Sequence, residues 1–312
     1  MDLDTKRILE KQGYAIVGNH SAVKLCHWLR ESLLRNRFCY KEQFYGIKTH
    51  RCLQMSPAID NCTQNCMFCW RFQGFSEVFL KKVDEPEFIV EESIRQQKRL
   101  IVGYKGDPRV DRKKWEEAME PKHVAISLTG EPTLYPRLGE LISEYHKHGF
   151  TTFLVTNGTT PEALESLDPL PTQLYVTVAA PTEEIYKKLL VPLIKNGWDR
   201  LHRTLEILPS LDTRTVIRHT LVKGWNMNNI ENYAKLDSLA APDFIEPKAY
   251  VFVGYSRERL NINNMPSHEE IKKFATQLSK ETGYNIIDEK EDSRVVLLSK
   301  HKNPDKISDL DA

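Results

Sequence analysis

Apolar and polar positions along this chain fall into two alternating patterns. Short, near-continuous apolar runs rich in β-branched residues occupy 51–57, 123–128, 150–155, 174–178, 213–221 and 247–253. Between them lie stretches with apolar residues every three or four positions, at 86–100, up to 119, at 138–148, at 183–190 and again ahead of 247. The first pattern predicts strands buried on both faces, the second amphipathic helices. Six strands separated by helices predict an α/β fold with a parallel sheet, closed as an incomplete, TIM-like (β/α)6 barrel. A doubly wound sheet has the same periodicity and stands as the alternative. Before the first strand, 3–12 and 21–34 read as helices, the second capped by Ser21. After the barrel, the pattern predicts a helix over 267–282 and a small antiparallel hairpin of 285–288 with 294–298 around an acidic turn. The polar residues beyond His301 are expected to fray. The expected layout is an N-terminal helical extension (1–50), a barrel (51–260) and a C-terminal extension (261–312).

Composition adds little to this. The 312 residues are 40% hydrophobic and 28% charged, ordinary for a globular protein with a sizeable core. No run approaches the ~18 apolar residues of a membrane span, and the first twenty residues have no secretion-signal pattern. A cytoplasmic monomer with no membrane partner is expected. Net charge is +1, yet residues 95–114 hold eight Lys or Arg against two Asp, and 24–51 hold seven against two Glu. Lys98, Arg99, Lys105, Arg109, Arg112, Lys113 and Lys114 are therefore candidate contacts to nucleic-acid phosphates, with solvated helix faces as the plain alternative.

Cysteine changes the picture most. All six cysteines precede residue 70, and Cys62, Cys66 and Cys69 form a CxxxCxxC loop directly after the first expected strand. Three thiols at these gaps can converge on one metal or iron-sulfur centre, and the missing fourth ligand leaves a position open for a bound molecule. A zinc loop is the alternative; disulfides suit neither the spacing nor a reducing compartment. Cys26, Cys39 and Cys52 stand thirteen residues apart, too far for one loop but close enough for a folded extension to gather them at a second centre. Lys41 lies between them, and a lysine becomes nucleophilic when desolvated or set beside another cation. At later strand ends stand Thr129, Gly130 and Glu131, then Asn157, Thr177, Arg218 and Asn226, where polar groups face a barrel mouth.

The loop, with the aromatic Phe68 ahead of its third cysteine, resembles the cluster loop of the radical S-adenosylmethionine (SAM) superfamily. The resemblance implies that Cys62, Cys66 and Cys69 ligate a 4Fe-4S cluster whose unique iron chelates SAM, and that one electron cleaves SAM to a 5′-deoxyadenosyl radical. Thr129-Gly130-Glu131 resembles the Gly-Gly-Glu motif that binds the methionyl amine, one glycine short. Asn157 and Thr177 resemble SAM-binding positions, and Arg218 and Asn226 fall at comparable strand ends.

Residues 55–71 with the three upstream cysteines, together with 127–136, are similar to the tRNA 4-demethylwyosine synthases of archaeal type, over about 20–260. That family condenses N1-methylguanosine, next to the anticodon of phenylalanine tRNA, with two carbons of pyruvate. The resemblance implies a lyase of wyosine biosynthesis with two 4Fe-4S clusters, the second on Cys26, Cys39 and Cys52. It further implies a Schiff base between Lys41 and pyruvate, and a separate flavodoxin- or ferredoxin-type electron donor. Trp70, Phe72 and Trp225 are candidates for stacking the target base. Two rivals remain: a radical SAM enzyme acting on another RNA or a protein, and a zinc-dependent RNA-binding module.

Overall fold

The computed structural model describes residues 1, 3–73 and 77–307. Its N-terminal extension holds α1 (Leu3–Lys11), the strands β1 (Ala15–Val17) and β2 (Ser21–Val23), then α2 (His27–Arg35) and α3 (Tyr40–Tyr45). The helix expected over 21–34 starts only at His27, and Ser21 is no helix cap: it opens β2, opposite Val17 of β1. The cause is tertiary. β2 also pairs with β3 (Cys52–Ser56), Ala22 opposite Ser56, and burying Ala22 and Val23 between two ladders outweighs the local helical pattern.

The barrel follows the expected rhythm. β3 leads to α4 (Pro86–Val102) and α5 (Arg112–Ala118), β4 (His123–Ile126) to α6 (Leu138–Lys147), and β5 (Thr151–Thr156) to α7 (Pro161–Glu165). β6 (Gln173–Thr177) leads to α8 (Glu183–Leu190) and α9 (Gly197–Ile207), and β7 (Arg214–Leu221) to α10 (Ile230–Ala240) and β8 (Phe244–Ala249). The chain continues through α11 (His268–Thr282) into β9 (Asn285–Lys290) and β10 (Val295–Ser299). Helices α7 and α9 go beyond the sequence pattern. β8 starts at Phe244 rather than Pro247, because Phe244 and Ile245 find ladder partners in Val216 and Ile217. The fraying expected beyond His301 falls in part on 308–312, outside the described residues.

One ten-stranded sheet runs in the order β1-β2-β3-β4-β5-β6-β7-β8-β10-β9. Strands β3 to β8 lie side by side in chain order and all parallel. A doubly wound sheet reverses its order at a switch point, and this sheet does not, so the architecture is the open (β/α)6 barrel. Antiparallel strands extend both edges, β2 pairing with β3 and β10 with β8.

Strand alternation sorts the two faces. Leu53, Met55, Val124, Ile126, Leu174 and Ile217 turn toward the helices and form the larger core with them. Phe153, Tyr175, Val216, Phe244, Val295 and Leu297 turn to the other face, and there they meet Tyr40, Phe44 and Tyr45 of α3. A helix of the N-terminal extension thus fills the barrel interior, and it carries Lys41 with it.

Candidate active site

The cysteine loop leaves the C-terminal end of β3 and is tied down along its length. Asn65 and Met67 donate their backbone N–H groups to the carbonyls of Val191 and Leu189 (3.0 and 2.9 Å), just past and at the end of α8. Arg259 Nε donates to the Met67 carbonyl at 3.2 Å, and its Nη2 donates to the Cys69 carbonyl. Gly130 is required on steric grounds: its φ is +71°, and a Cβ there would stand 1.7 Å from the Ala58 carbonyl oxygen. That close approach lets the Glu131 N–H donate to the Asn61 carbonyl (2.8 Å), locking the Thr129–Glu131 turn to the loop.

Cys62, Cys66 and Cys69 line a cavity of about 470 Å³ at the C-terminal end of the barrel strands. Burial pushes the Cys62 thiol up to about 11, while the Arg71 guanidinium beside it pulls the other way. Burial also raises Cys66, and the neighbouring Cys69 and Cys62 sulfurs add to the rise. Thiols that disfavour ionisation together become ligands when a cationic centre compensates them. Arg71, 2% exposed, is a cation held beside the same sulfurs and suits the anionic thiolates of a cluster. Among the described residues no three His, Cys, Asp or Glu side chains converge on a single metal ion. The donor set would suit an iron-sulfur cluster: three ligands, all thiol sulfur, lining one cavity.

Phe68, Thr129, Gly130, Glu131, Asn157, Thr177 and Arg218 all line this cavity. The Thr129 hydroxyl is buried with no hydrogen-bond partner among the described residues, a polar atom left for a ligand. The Glu131 carboxylate, by contrast, is engaged within the protein. It accepts from the hydroxyls of Thr133 and Thr156 (2.6 and 2.7 Å) and from the Asn157 N–H (2.8 Å), and so braces the end of β5. Burial raises its pKa, and those donors oppose the rise. Asn157 in turn donates through Nδ2 to the Thr63 hydroxyl at 2.8 Å, joining β5 to the cysteine loop. Asn226 stands apart from the cavity. It is fully buried, with its amide donating to the Ala179 and Thr220 carbonyls (both 2.8 Å), and it fastens the end of β7.

Deeper in the barrel lies a charged network that the sequence pattern only partly exposes. Arg218 is ion-paired to Glu246 at 2.9 Å, and Glu246 also accepts from the Tyr40 and Tyr45 hydroxyls of α3 (3.2 and 2.6 Å). Lys41, half-buried, places Nζ 4.2 Å from the Tyr175 ring centroid and 4.7 Å from that of Phe153. Burial, and then the charge of Arg218, lower its pKa to about 8. Cys39 precedes α3, Cys26 precedes α2, and Cys52 opens β3. Their sulfurs sense one another: burial first, then Cys26, push Cys39 up to about 12, and Cys52 is raised by burial, Cys26 and Cys39. Glu246 and Lys248 escaped notice in the sequence. Their signal was there, as two charged residues at alternate positions of an apolar strand.

None of the seven basic candidates lines the cavity. Lys98 and Arg99 lie near the end of α4, Lys105 and Arg109 follow it, and Arg112, Lys113 and Lys114 open α5. Helix α5 packs on the Thr49–Arg51 turn that precedes β3, at the opposite end of that strand from the cysteine loop. Arg109 pairs with Asp107 and Arg112 with Glu116, and Lys114 donates to the Asn36 side chain at 2.6 Å. Of the three aromatic candidates, Trp70 lines the cavity, stacked at 6.1 Å on Tyr14; Phe72 packs on Tyr255 at 5.2 Å, and Trp225 joins the helix-side core.

A barrel whose strand ends enclose three thiols around an open position is the architecture of the radical SAM superfamily, and the sequence model of that superfamily matches residues 56–236. Residues 239–300 match a second family model, described as wyosine base formation. The chain is 58% identical over 304 residues to the tRNA 4-demethylwyosine synthase of Pyrococcus abyssi, a span of 96% of this chain and 89% of that protein. It is 46% identical to the synthase of Methanocaldococcus jannaschii, across 94% of each chain. A solved structure of TYW1 with a lysine-pyruvate adduct bound matches with a TM-score of 0.89 at 44% identity, covering 98% of both chains. The chain belongs to the S-adenosyl-L-methionine-dependent tRNA 4-demethylwyosine synthase family.

Proposed function

We propose that this protein condenses N1-methylguanosine, next to the anticodon of phenylalanine tRNA, with two carbons of pyruvate to form 4-demethylwyosine. One observation carries the reading: α3, which bears Lys41 two residues after Cys39, packs inside the barrel with Lys41 Nζ over the Tyr175 and Phe153 rings, and the mouth of that barrel holds Cys62, Cys66 and Cys69. The adduct named for the similar solved structure supports it.

Cys62, Cys66 and Cys69 hold a 4Fe-4S cluster, and Thr129, Gly130, Asn157 and Thr177 hold SAM against it. When bound, this pair supplies a radical that removes hydrogen from the N-methyl carbon, which has no usable acidity. Cys26, Cys39 and Cys52 hold a second 4Fe-4S cluster. Lys41 Nζ attacks the carbonyl carbon of pyruvate and the oxygen leaves as water; addition of the substrate-carbon radical to the resulting imine carbon leaves the odd electron on nitrogen, and homolysis of the bond to the carboxyl carbon then re-forms the C=N bond and carries the odd electron away on the one-carbon fragment. Trp70, at the cavity mouth, offers its ring to the extruded base. Lys98, Arg99, Lys105, Arg109, Arg112, Lys113 and Lys114 contact phosphates away from the mouth, with salt-sensitive affinity. A separate flavodoxin- or ferredoxin-type donor delivers the electron to a cytoplasmic monomer.

Anaerobic turnover with transcribed tRNA carrying N1-methylguanosine and labelled pyruvate tests this. A tricyclic base with two pyruvate carbons is the expected product. Its absence, with modification of another RNA or a protein instead, ends the reading, and zinc in place of iron after reconstitution restores the non-catalytic RNA-binding alternative.

A further inference from the structure

Positive charge in the barrel interior exceeds what the facing carboxylate neutralises. Arg218, Lys41 and Lys248 all feel the field of Glu246. Arg218 takes up that carboxylate: its Nε and Nη2 both donate to Glu246 Oε2 (3.0 and 2.9 Å), and Nη2 also donates to the Tyr40 hydroxyl (2.6 Å). Among the described residues neither lysine has a carboxylate oxygen within 4.0 Å.

Lys248 is the more telling of the two. It stands on β8 opposite Thr220 of β7 and Val295 of β10, two residues past Glu246 toward the cysteine loop. Its Nζ donates to the Ser293 carbonyl at 2.7 Å and lies 5.2 Å from the ring centroid of Tyr40, the residue that precedes Lys41 on α3. A neutral carbonyl satisfies one of three ammonium donors and none of the charge. Lys248 also lines the same cavity as the three loop cysteines. The turn that supplies Ser293 joins β9 to β10, so the C-terminal hairpin is what sets this lysine, and it lies within the segment matched by the wyosine-specific family model.

The geometry points to Lys248 as the carboxylate anchor for a 2-oxo acid, an inference that rests on the reading of Lys41 as the amine that captures pyruvate. Lys248 Nζ donates charge-assisted hydrogen bonds to the carboxylate while Lys41 engages the adjacent carbonyl carbon. The site then discriminates a free 2-oxo acid from its ester by charge. Lys248 holds the one-carbon fragment that the product does not retain.

The test uses the reconstituted protein without tRNA, reduced with cyanoborohydride in the presence of pyruvate or methyl pyruvate and analysed by intact mass and peptide mapping. The ester's intrinsic reactivity cancels when variants are compared. Lys248→Gln, which keeps a donor for the Ser293 carbonyl, is expected to lower the preference for pyruvate over its ester by roughly ten- to hundredfold. Lys248→Arg is expected to keep most of it. Iron content and the visible spectrum check that both variants fold. An unchanged preference in Lys248→Gln, or an equal loss in both variants, overturns the anchor while leaving the Lys41 reading intact. No Lys41 adduct in the wild type overturns both.

Discussion

Arg218 of β7 and Glu246 of β8 are register partners whose side chains close an ion pair at 2.9 Å inside the barrel, with Glu246 wholly buried. Two hydroxyls from α3 complete the shell of that carboxylate, so the pair is also the anchor of the helix that carries Lys41. Removing one partner strands the other. Arg218→Met or Glu246→Leu alone should cost about 3–5 kcal/mol in denaturant unfolding, and the double variant less than the sum. Additive losses would show that the two charges are independently solvated.

The Lys41 amine should show its environment in a pH profile. Its pKa of about 8 results from burial first and the Arg218 charge second, so the neutral, nucleophilic form accumulates as pH rises through that value. Trapping of pyruvate at Lys41 should climb about tenfold per unit below pH ~8 and level off above it, whereas an ordinary lysine keeps climbing toward ~10.4. Between those two values the unfolded chain binds more protons than the folded one, so this lysine makes stability rise with pH in that window. Initial trapping rates and unfolding midpoints measure the two effects separately.

Gly130→Ala should dismantle the cysteine loop. The new methyl group would meet the Ala58 and Asn61 carbonyl oxygens, and the left-handed backbone adds roughly 1–2 kcal/mol of strain. Iron bound at the loop after anaerobic reconstitution should fall to background while the secondary structure persists. Full iron occupancy would mean that the turn can move away.

The two cysteine sets should separate by iron count. Wild type should hold about eight irons per chain, and the Cys26/Cys39/Cys52→Ala triple variant about four. The triple variant should still cleave SAM reductively but incorporate no pyruvate carbon. Cys62→Ala should lose SAM cleavage. A triple variant with unchanged iron content would eliminate the second cluster.

Asn157→Ala should weaken the link between β5 and the loop, since it removes the side-chain hydrogen bond to Thr63 at 2.8 Å and leaves only the Thr159 hydroxyl, at 2.7 Å, on that residue's hydroxyl. The expected result is a loss of about 1–3 kcal/mol in stability, together with weaker SAM binding by equilibrium dialysis. Asn226→Ala, set away from the cavity, should destabilise by a similar amount and leave SAM affinity unchanged.

Much of this protein was determined by its sequence alone. The spacing of Cys62, Cys66 and Cys69 fits a single loop, and the alternation of apolar runs with amphipathic stretches predicted six barrel strands within a few residues. Both are local properties: a ligand loop depends on gaps of three or four residues, and a buried parallel strand on a run of five or six. The Glu183–Leu190 helix and the helix expected over 267–282, observed as His268–Thr282, were legible for the same reason.

Tertiary structure alone decided the rest. The Ser21–Val23 segment became a strand because β3 offers it a ladder. Tyr45 and Glu246, 201 residues apart, meet because α3 enters the barrel. Lys248 meets the Ser293 carbonyl only once the turn between β9 and β10 lies against β8, and Arg218 reaches Glu246 only once β7 and β8 have paired. Patterns of three or four residues cannot encode such encounters. They arise from which surfaces remain to be buried, and which charges remain unpaired, after the sheet has formed.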